Sequence, residues 1–238
     1  MRVGILLTSN DLSDFANRFP NDGEKFATLL RPIRPAWEFR VYRAIDGDFP
    51  TSIHDHDGYV VTGSPASVHD PHPWIAQLLE FVQQVHAATI PLIGACFGHQ
   101  AIALALGGTV EYNPQGWVVG TADTRFEKRD WMEPYEETLA LYAAHKEQVT
   151  KLPSDAQRIG ETLGCPNAAF VIGNHIATTE YHPEMPEQFM LELIPEMGDE
   201  LSLDQQARAR AQISAGAQGP TFAQWMVNFL EMPRNRQS

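Results

Sequence analysis

Cys96 is one of two cysteines in 238 residues, and its neighbours suit a reactive thiol. Gly94-Ala95-Cys96-Phe97-Gly98 fits G-x-C-x-G between an apolar run and a small-residue helix, the nucleophile-elbow pattern with Cys in place of Ser. A nucleophile on a tight strand-to-helix turn needs a strained backbone, and flanking glycines leave room for it. At a helix N-terminus the positive end of the dipole favours thiolate over thiol. The backbone N–H of Phe97 would then face an oxyanion formed at a substrate carbonyl. The plainer alternative is a buried cysteine in a βα turn whose glycines serve packing. Cys165, in Leu163-Gly164-Cys165-Pro166, lacks such a setting and reads as a loop or core cysteine.

A thiolate needs a base, and the base needs a group to orient it. Tyr181-His182-Pro183-Glu184 supplies both. In extended chain, residues two apart point the same way, so His182 and Glu184 can project toward one site. The order Cys, then His-x-Glu, differs from the Ser…Asp…His order of the α/β-hydrolases.

The elements that must position these groups are legible from periodicity. Arg2–Leu7, Trp37–Tyr42, Gly58–Thr62 and Pro91–Ala95 read as strands. Phe15–Leu30 is loosely helical, interrupted by Pro20 and Gly23. Trp74–Ala88 is an amphipathic helix, and the helix after the elbow runs through Ala101–Leu106 to Gly107-Gly108. Such alternation predicts an α/β fold with a mainly parallel sheet covered by helices on both faces. Later, Val118–Phe126 and Ala168–Tyr181 read as strands and Pro186–Ile194 as a helix. From Pro195 the texture changes: Asp204–Ile213 is polar and Ala-rich, and Ser214–Pro220 is hinge-like. Thr221 is placed to cap a last helix with an apolar stripe of Phe222, Trp225, Met226, Phe229 and Leu230, which predicts packing on the sheet.

Composition narrows the partners. Seventeen Lys and Arg against 30 Asp and Glu give a net charge of −13, which argues against nucleic acid, since phosphate binding needs a basic footprint. Two cysteines make no disulfide framework. No apolar run approaches the roughly 20 residues of a membrane span, and the short apolar start before Thr8-Ser9-Asn10 is no secretory leader. The expectation is a cytoplasmic protein. His54-Asp55-His56-Asp57 and His69-Asp70-Pro71-His72 lack the closed ligand set of a metal site and read as solvated loops. Without G-x-G-x-x-G or a Walker A sequence, neither dinucleotide nor nucleotide chemistry is indicated, and no cofactor is expected.

Taken together, Gly94–Gln100 (G-A-C-F-G-H-Q) and Tyr181–Glu184 (Y-H-P-E) strongly resemble the class I, or triad, glutamine amidotransferases and their relatives the γ-glutamyl peptidases. The resemblance runs from Arg2 to about Ile194. It implies a flavodoxin-like domain over residues 1–194, with a C-terminal helical extension over 195–238. It also implies that Cys96 is the nucleophile, His182 the general base and acid, and Glu184 the residue that orients it. Thr62-Gly63-Ser64-Pro65 resembles the family's oxyanion loop, so Gly63, Ser64 and Phe97 are expected to form the oxyanion hole. Gln100, Gly116, Trp117 and His145 fall where relatives contact the glutamine substrate. No metal belongs to this set.

The implied activity is hydrolysis of the γ-glutamyl amide of glutamine or of a γ-glutamyl compound through a glutamyl-thioester. The ammonia would pass to a separate synthase, or else the chain is a stand-alone γ-glutamyl peptidase. Tyr42–Pro50 and Asp57–Pro65 resemble the peptidase branch. A binding module of this fold without turnover is the remaining alternative. One departure stands out: where the family usually carries Gln, two residues before the histidine, this chain has Glu180.

Overall fold

The computed structural model describes residues 1–232; the last six positions of the expected extension, 233–238, lie outside the described residues. Nine strands form one sheet. They are β1 (Arg2–Leu7), β2 (Glu38–Arg43), β3 (Gly58–Val61), β4 (Leu92–Ala95), β6 (Val118–Phe126), β7 (Thr138–His145), β9 (Ala156–Glu161), β10 (Ala169–Ile172) and β11 (Ile176–Thr179). Between them, β5 (Thr109–Tyr112) and β8 (Glu147–Lys151) pair as a separate ribbon. The order across the sheet is β2-β1-β3-β4-β11-β10-β9-β6-β7. It is parallel from β2 to β11 and antiparallel beyond. Connections through helices build the parallel half, and hairpins build the rest.

The helices are α1 (Asp22–Leu30), α2 (Pro73–Ala87), α3 (Phe97–Ala105), α4 (Glu187–Glu196), α5 (Leu203–Ser214) and α6 (Gly219–Leu230). Two-residue alternation in the strands separates two cores. Val3, Ile5, Val60, Ile93 and Ala177 face one side, against Phe26 and Leu30 of α1 and the stripe of α6. Leu6, Tyr59, Val61, Leu92 and Ile176 face the other, against α2 and α3. Helix α1 starts late because Asn21 and Glu24 form a reciprocal capping box, which leaves the chain before it as a loop and a short 3-10 turn.

The apolar stripe of α6 packs as its spacing predicts: Trp225 is fully buried, and Phe222, Met226, Phe229 and Leu230 are nearly so. Each such side chain contributes roughly 1.5–3 kcal/mol of burial. The cap is Gln218 rather than Thr221, because Pro220 can occupy the first turn, where a backbone N–H is not needed. Gln218 accepts from Ala140 N–H through Oε1 (2.9 Å) and donates its own N–H to Ala140 O (2.8 Å), tying the helix start to β7.

Register sets the site. Ala95 pairs with Thr179 across β4 and β11, and Val61 pairs with Gly94 across β3 and β4. Thr62, Cys96 and Glu180, each one residue further on, therefore leave neighbouring parallel strands together at the carboxyl edge. In open α/β sheets this edge is where ligands bind.

Candidate active site

Cys96 sits between β4 and α3 at φ 49° and ψ −109°, a left-handed backbone that a side chain rarely adopts. Its N–H donates to Thr179 O (2.9 Å), and its carbonyl accepts from Gln100 N–H (3.0 Å). The turn closes this tightly because Gly98 has no side chain: a Cβ there would run into the backbone oxygen of Val61. Gly94 gives the same clearance on the strand side, where a Cβ would meet Gly98 O at 2.6 Å. The G-x-C-x-G spacing thus reflects two backbone-on-backbone contacts around one strained cysteine.

His182 Nδ1 lies 2.8 Å from Glu184 Oε1, and the ring interacts with the Cys96 thiol on its other side. With Nδ1 taken by the carboxylate, Nε2 is the nitrogen left for sulfur. The backbone N–H of His182 donates to Tyr142 O (2.8 Å), which pins the segment to β7. All three side chains are buried. Burial pushes the Cys96 thiol above its ordinary value, while the His182 charge and hydrogen bond work against that rise. For His182, burial disfavours the imidazolium, but Glu184 and then Cys96 outweigh it and hold the ring well above its ordinary value.

Gly63 and Ser64 form the opposite wall. A Cβ on Gly63 would stand 2.7 Å from His182 Cε1 and 3.7 Å from Cys96 Cβ, so the loop backbone runs directly beside both. Phe97 begins α3, where helix N–H groups have no intrahelical acceptor. Thr8, just after β1, holds the loop in place, and sequence reading missed it. Its hydroxyl donates to Gly63 O (2.9 Å) or Thr62 O (3.0 Å), and its N–H donates to Thr62 Oγ1 (3.0 Å). A threonine ending a strand carries no local signal of this; only the β1–β3 pairing brings it to Thr62.

A cavity of about 380 Å³ opens over Cys96 and His182. Gly63, Ser64 and Trp117 line it, and so do Phe189, Glu196 and Glu200 from the α4 region. Trp117 donates its indole N–H to Glu200 Oε2 (2.6 Å), and Lys146 Nζ lies 5.1 Å from the Trp117 ring. Glu196, Met197 and Glu200, unread at the sequence level, are therefore part of the cavity wall. Asp22 also lines it, paired with Lys25 (2.7 Å); burial pushes the Asp22 carboxyl up despite that lysine.

Three other expected contacts lie elsewhere. Gly116 is in an exposed turn at φ 79°. Gln100 and His145 are buried beneath the site rather than lining the cavity. Gln100 Nε2 donates to Glu180 Oε1 (2.7 Å) and Glu147 O (2.9 Å), and His145 Nδ1 donates to Glu147 O (2.9 Å). The histidine-rich loops are occupied locally, with His56 against Tyr42 OH (2.8 Å) and His69 against Val110 O (3.0 Å). No group of three or more potential ligands gathers to hold a metal among the described residues. No helix among them is long and apolar enough to cross a membrane.

The chain is similar to known proteins in sequence and in fold. The model of the glutamine amidotransferase class-I family matches residues 38–189. γ-Glutamyl peptidase 3 of Arabidopsis thaliana is 26% identical over 229 residues, covering 91% of this chain and 87% of that protein. The glutamine-hydrolysing GMP synthase of Dehalococcoides mccartyi is 26% identical over 169 residues, 68% of this chain and 30% of that protein. The crystal structure of a glutamine amidotransferase from Thermotoga maritima superposes with a TM-score of 0.77 at 17% identity, covering 97% of this chain and 98% of that one.

Proposed function

The chain belongs to the class-I glutamine amidotransferase family, and from that premise we propose that it is a thiol hydrolase of γ-glutamyl amides with Cys96, His182 and Glu184 as its catalytic set. The observation that carries this reading is the strained Cys96 beside His182 in one cavity, the ring itself held by Glu184 at 2.8 Å.

In the first half-reaction His182 Nε2 takes the thiol proton as Cys96 Sγ attacks the γ-carbonyl carbon. The backbone N–H groups of Gly63, Ser64 and Phe97 hold the oxyanion. His182 then gives its proton to the leaving nitrogen, the C–N bond breaks, and a glutamyl-thioester remains on Cys96. In the second half-reaction His182 takes a proton from water while the resulting hydroxide attacks the thioester. The C–S bond breaks, His182 returns the proton to sulfur, and glutamate leaves. Glu184 keeps Nδ1–H pointed inward and stabilises the imidazolium between the two transfers.

The cavity supports a leaving group larger than ammonia, since about 380 Å³ is within the range that encloses a drug-sized ligand. The similarity to an Arabidopsis γ-glutamyl peptidase over most of both chains points the same way. A second reading, donation of ammonia to a separate synthase, draws on the similarity to part of a GMP synthase. Glutamate release from glutamine and from γ-glutamyl peptides by the purified protein decides between them. Cleavage of the peptides by the chain alone supports the peptidase reading. Glutaminase activity that rises only with a partner supports the other, and release from neither substrate overturns both.

A further inference from the structure

Beneath Cys96 and His182 lies a buried polar cluster that the reaction above does not use. Glu180, at the end of β11, is fully buried, as is His99 on α3. Glu180 Oε1 accepts from Gln100 Nε2 at 2.7 Å, whereas Oε2 has no hydrogen-bond partner. It lies 3.4 Å from His99 Nε2, which has none either.

We propose that Glu180 is a neutral carboxylic acid in the working protein, and that its bond to Gln100 is a strut setting the spacing between the helix that carries Cys96 and the strand that delivers His182. The inference rests on the catalytic reading above for its effect on turnover, but not for the protonation state itself.

Proton accounting leads there. The Thr178 hydroxyl has one proton and donates it to Phe170 O (3.1 Å). In the tautomer where Thr178 keeps that bond to Phe170 O, His99 Nδ1 donates to Thr178 Oγ1 (2.8 Å) and Nε2 is a lone pair facing Glu180 Oε2. An ionised Glu180 would set lone pair against lone pair. A proton on Oε2 removes that conflict.

The surroundings agree. Among the described residues no Lys or Arg pairs with Glu180. Facing it are His99 and Gln100 from α3, His145 from β7, Glu147 from β8, Cys165 from the loop before β10, and Tyr181 and His182 beyond β11. Burial holds His99 down to about 3 and His145 down to about 4, so both rings are neutral. Burial also holds the Glu180 carboxyl well above its ordinary value, against the pull of the Gln100 amide, His182 and the Val149 N–H. A charge on Glu180 would oppose the Cys96 thiolate.

Gln100 lies one helical turn beyond Cys96, and Glu180 two residues before His182. Their bond is one of two side-chain links between the two elements, beside that of His99 Nδ1 to Thr178 Oγ1 (2.8 Å), and it is the one nearer to Cys96 and His182 in the chain. A glutamine at 180 would offer the same pair of functions, an oxygen to Gln100 and an N–H to His99.

The experiment compares thermal unfolding of wild type and E180Q, as full chains, across pH, alongside glutamate release by wild type, E180Q and E180A. In the unfolded chain Glu180 ionises at about pH 4.3. A folded-state value above that makes unfolding progressively easier as pH rises through this point. The Tm of E180Q should match wild type below about pH 4 and exceed it by a growing margin above. E180Q should keep wild-type kcat, while E180A, lacking the strut, should lose up to about 10²-fold in kcat with little change in KM. A Tm difference that ignores pH, or a wild type more stable than E180Q at neutral pH, overturns the proposal. If E180Q fails to fold, infrared spectra of wild type labelled at its glutamate carboxyls decide. A protonated-acid carbonyl band persisting at neutral pH supports the proposal, and its absence overturns it. Loss of glutamate release in wild type would sink the catalytic reading alone and leave the Tm comparison intact.

Discussion

Gly63 lies so close to His182 that a Cβ on the glycine would sit 2.7 Å from the ring's Cε1. The loop proposed to bind the oxyanion and the proposed base thus pack against each other, and the missing side chain is what lets them. G63A should push the ring off its line to Cys96 and cost about 10²-fold in kcat. Circular dichroism should stay native, because the displaced group is one side chain. An unchanged kcat would show that the ring is not held where the structure has it.

Replacing the nucleophile gives the plainest result. C96S should lower kcat/KM for glutamate release by at least about 10³-fold, by analogy with the loss of members of serine triads. Wild-type turnover in C96S would remove the thioester mechanism altogether.

The pH profile tests Glu184. Its carboxylate, 2.8 Å from Nδ1, stabilises the imidazolium and so raises the His182 value. E184Q removes that charge, so the limb of the kcat/KM profile governed by His182 should move to lower pH. Turnover should fall by on the order of 10³–10⁴-fold. A limb that stays in place, or moves up, would mean Glu184 does not set the ring's charge.

Stability tests the C-terminal helix. Trp225 is fully buried and its indole N–H donates to Pro134 O (2.8 Å). W225A should cost about 3–5 kcal/mol. At roughly 2–4 °C per kcal/mol for a chain of this size, that lowers Tm by roughly 6–20 °C. A shift under 2 °C would mark α6 as an appendage rather than part of the sheet's core.

Much of this protein could be read without its structure. The elbow pattern, the His-x-Glu pair and the strand–helix alternation are local. Two glycines around a cysteine report a tight turn, and residues two apart on extended chain share a side. The α6 stripe is likewise a helical period with one buried face. What stayed out of reach depends on contacts between distant segments. Thr8 meets Thr62 only because β1 lies beside β3. Glu200 meets Trp117 only after the chain folds back past α4.

Glu180 is the sharpest case. In the sequence it is an extra carboxylate two residues from His182, an apparent electrostatic problem. In the fold, the pairing of Ala95 with Thr179 sets it beside α3, away from water, with Gln100 on one oxygen and His99 Nε2 3.4 Å from the other. The sequence by itself determined which side chains were available for chemistry and the local turns that hold them. The charge those side chains carry was decided by the tertiary structure, because desolvation and proton sharing depend on every element packed around a group.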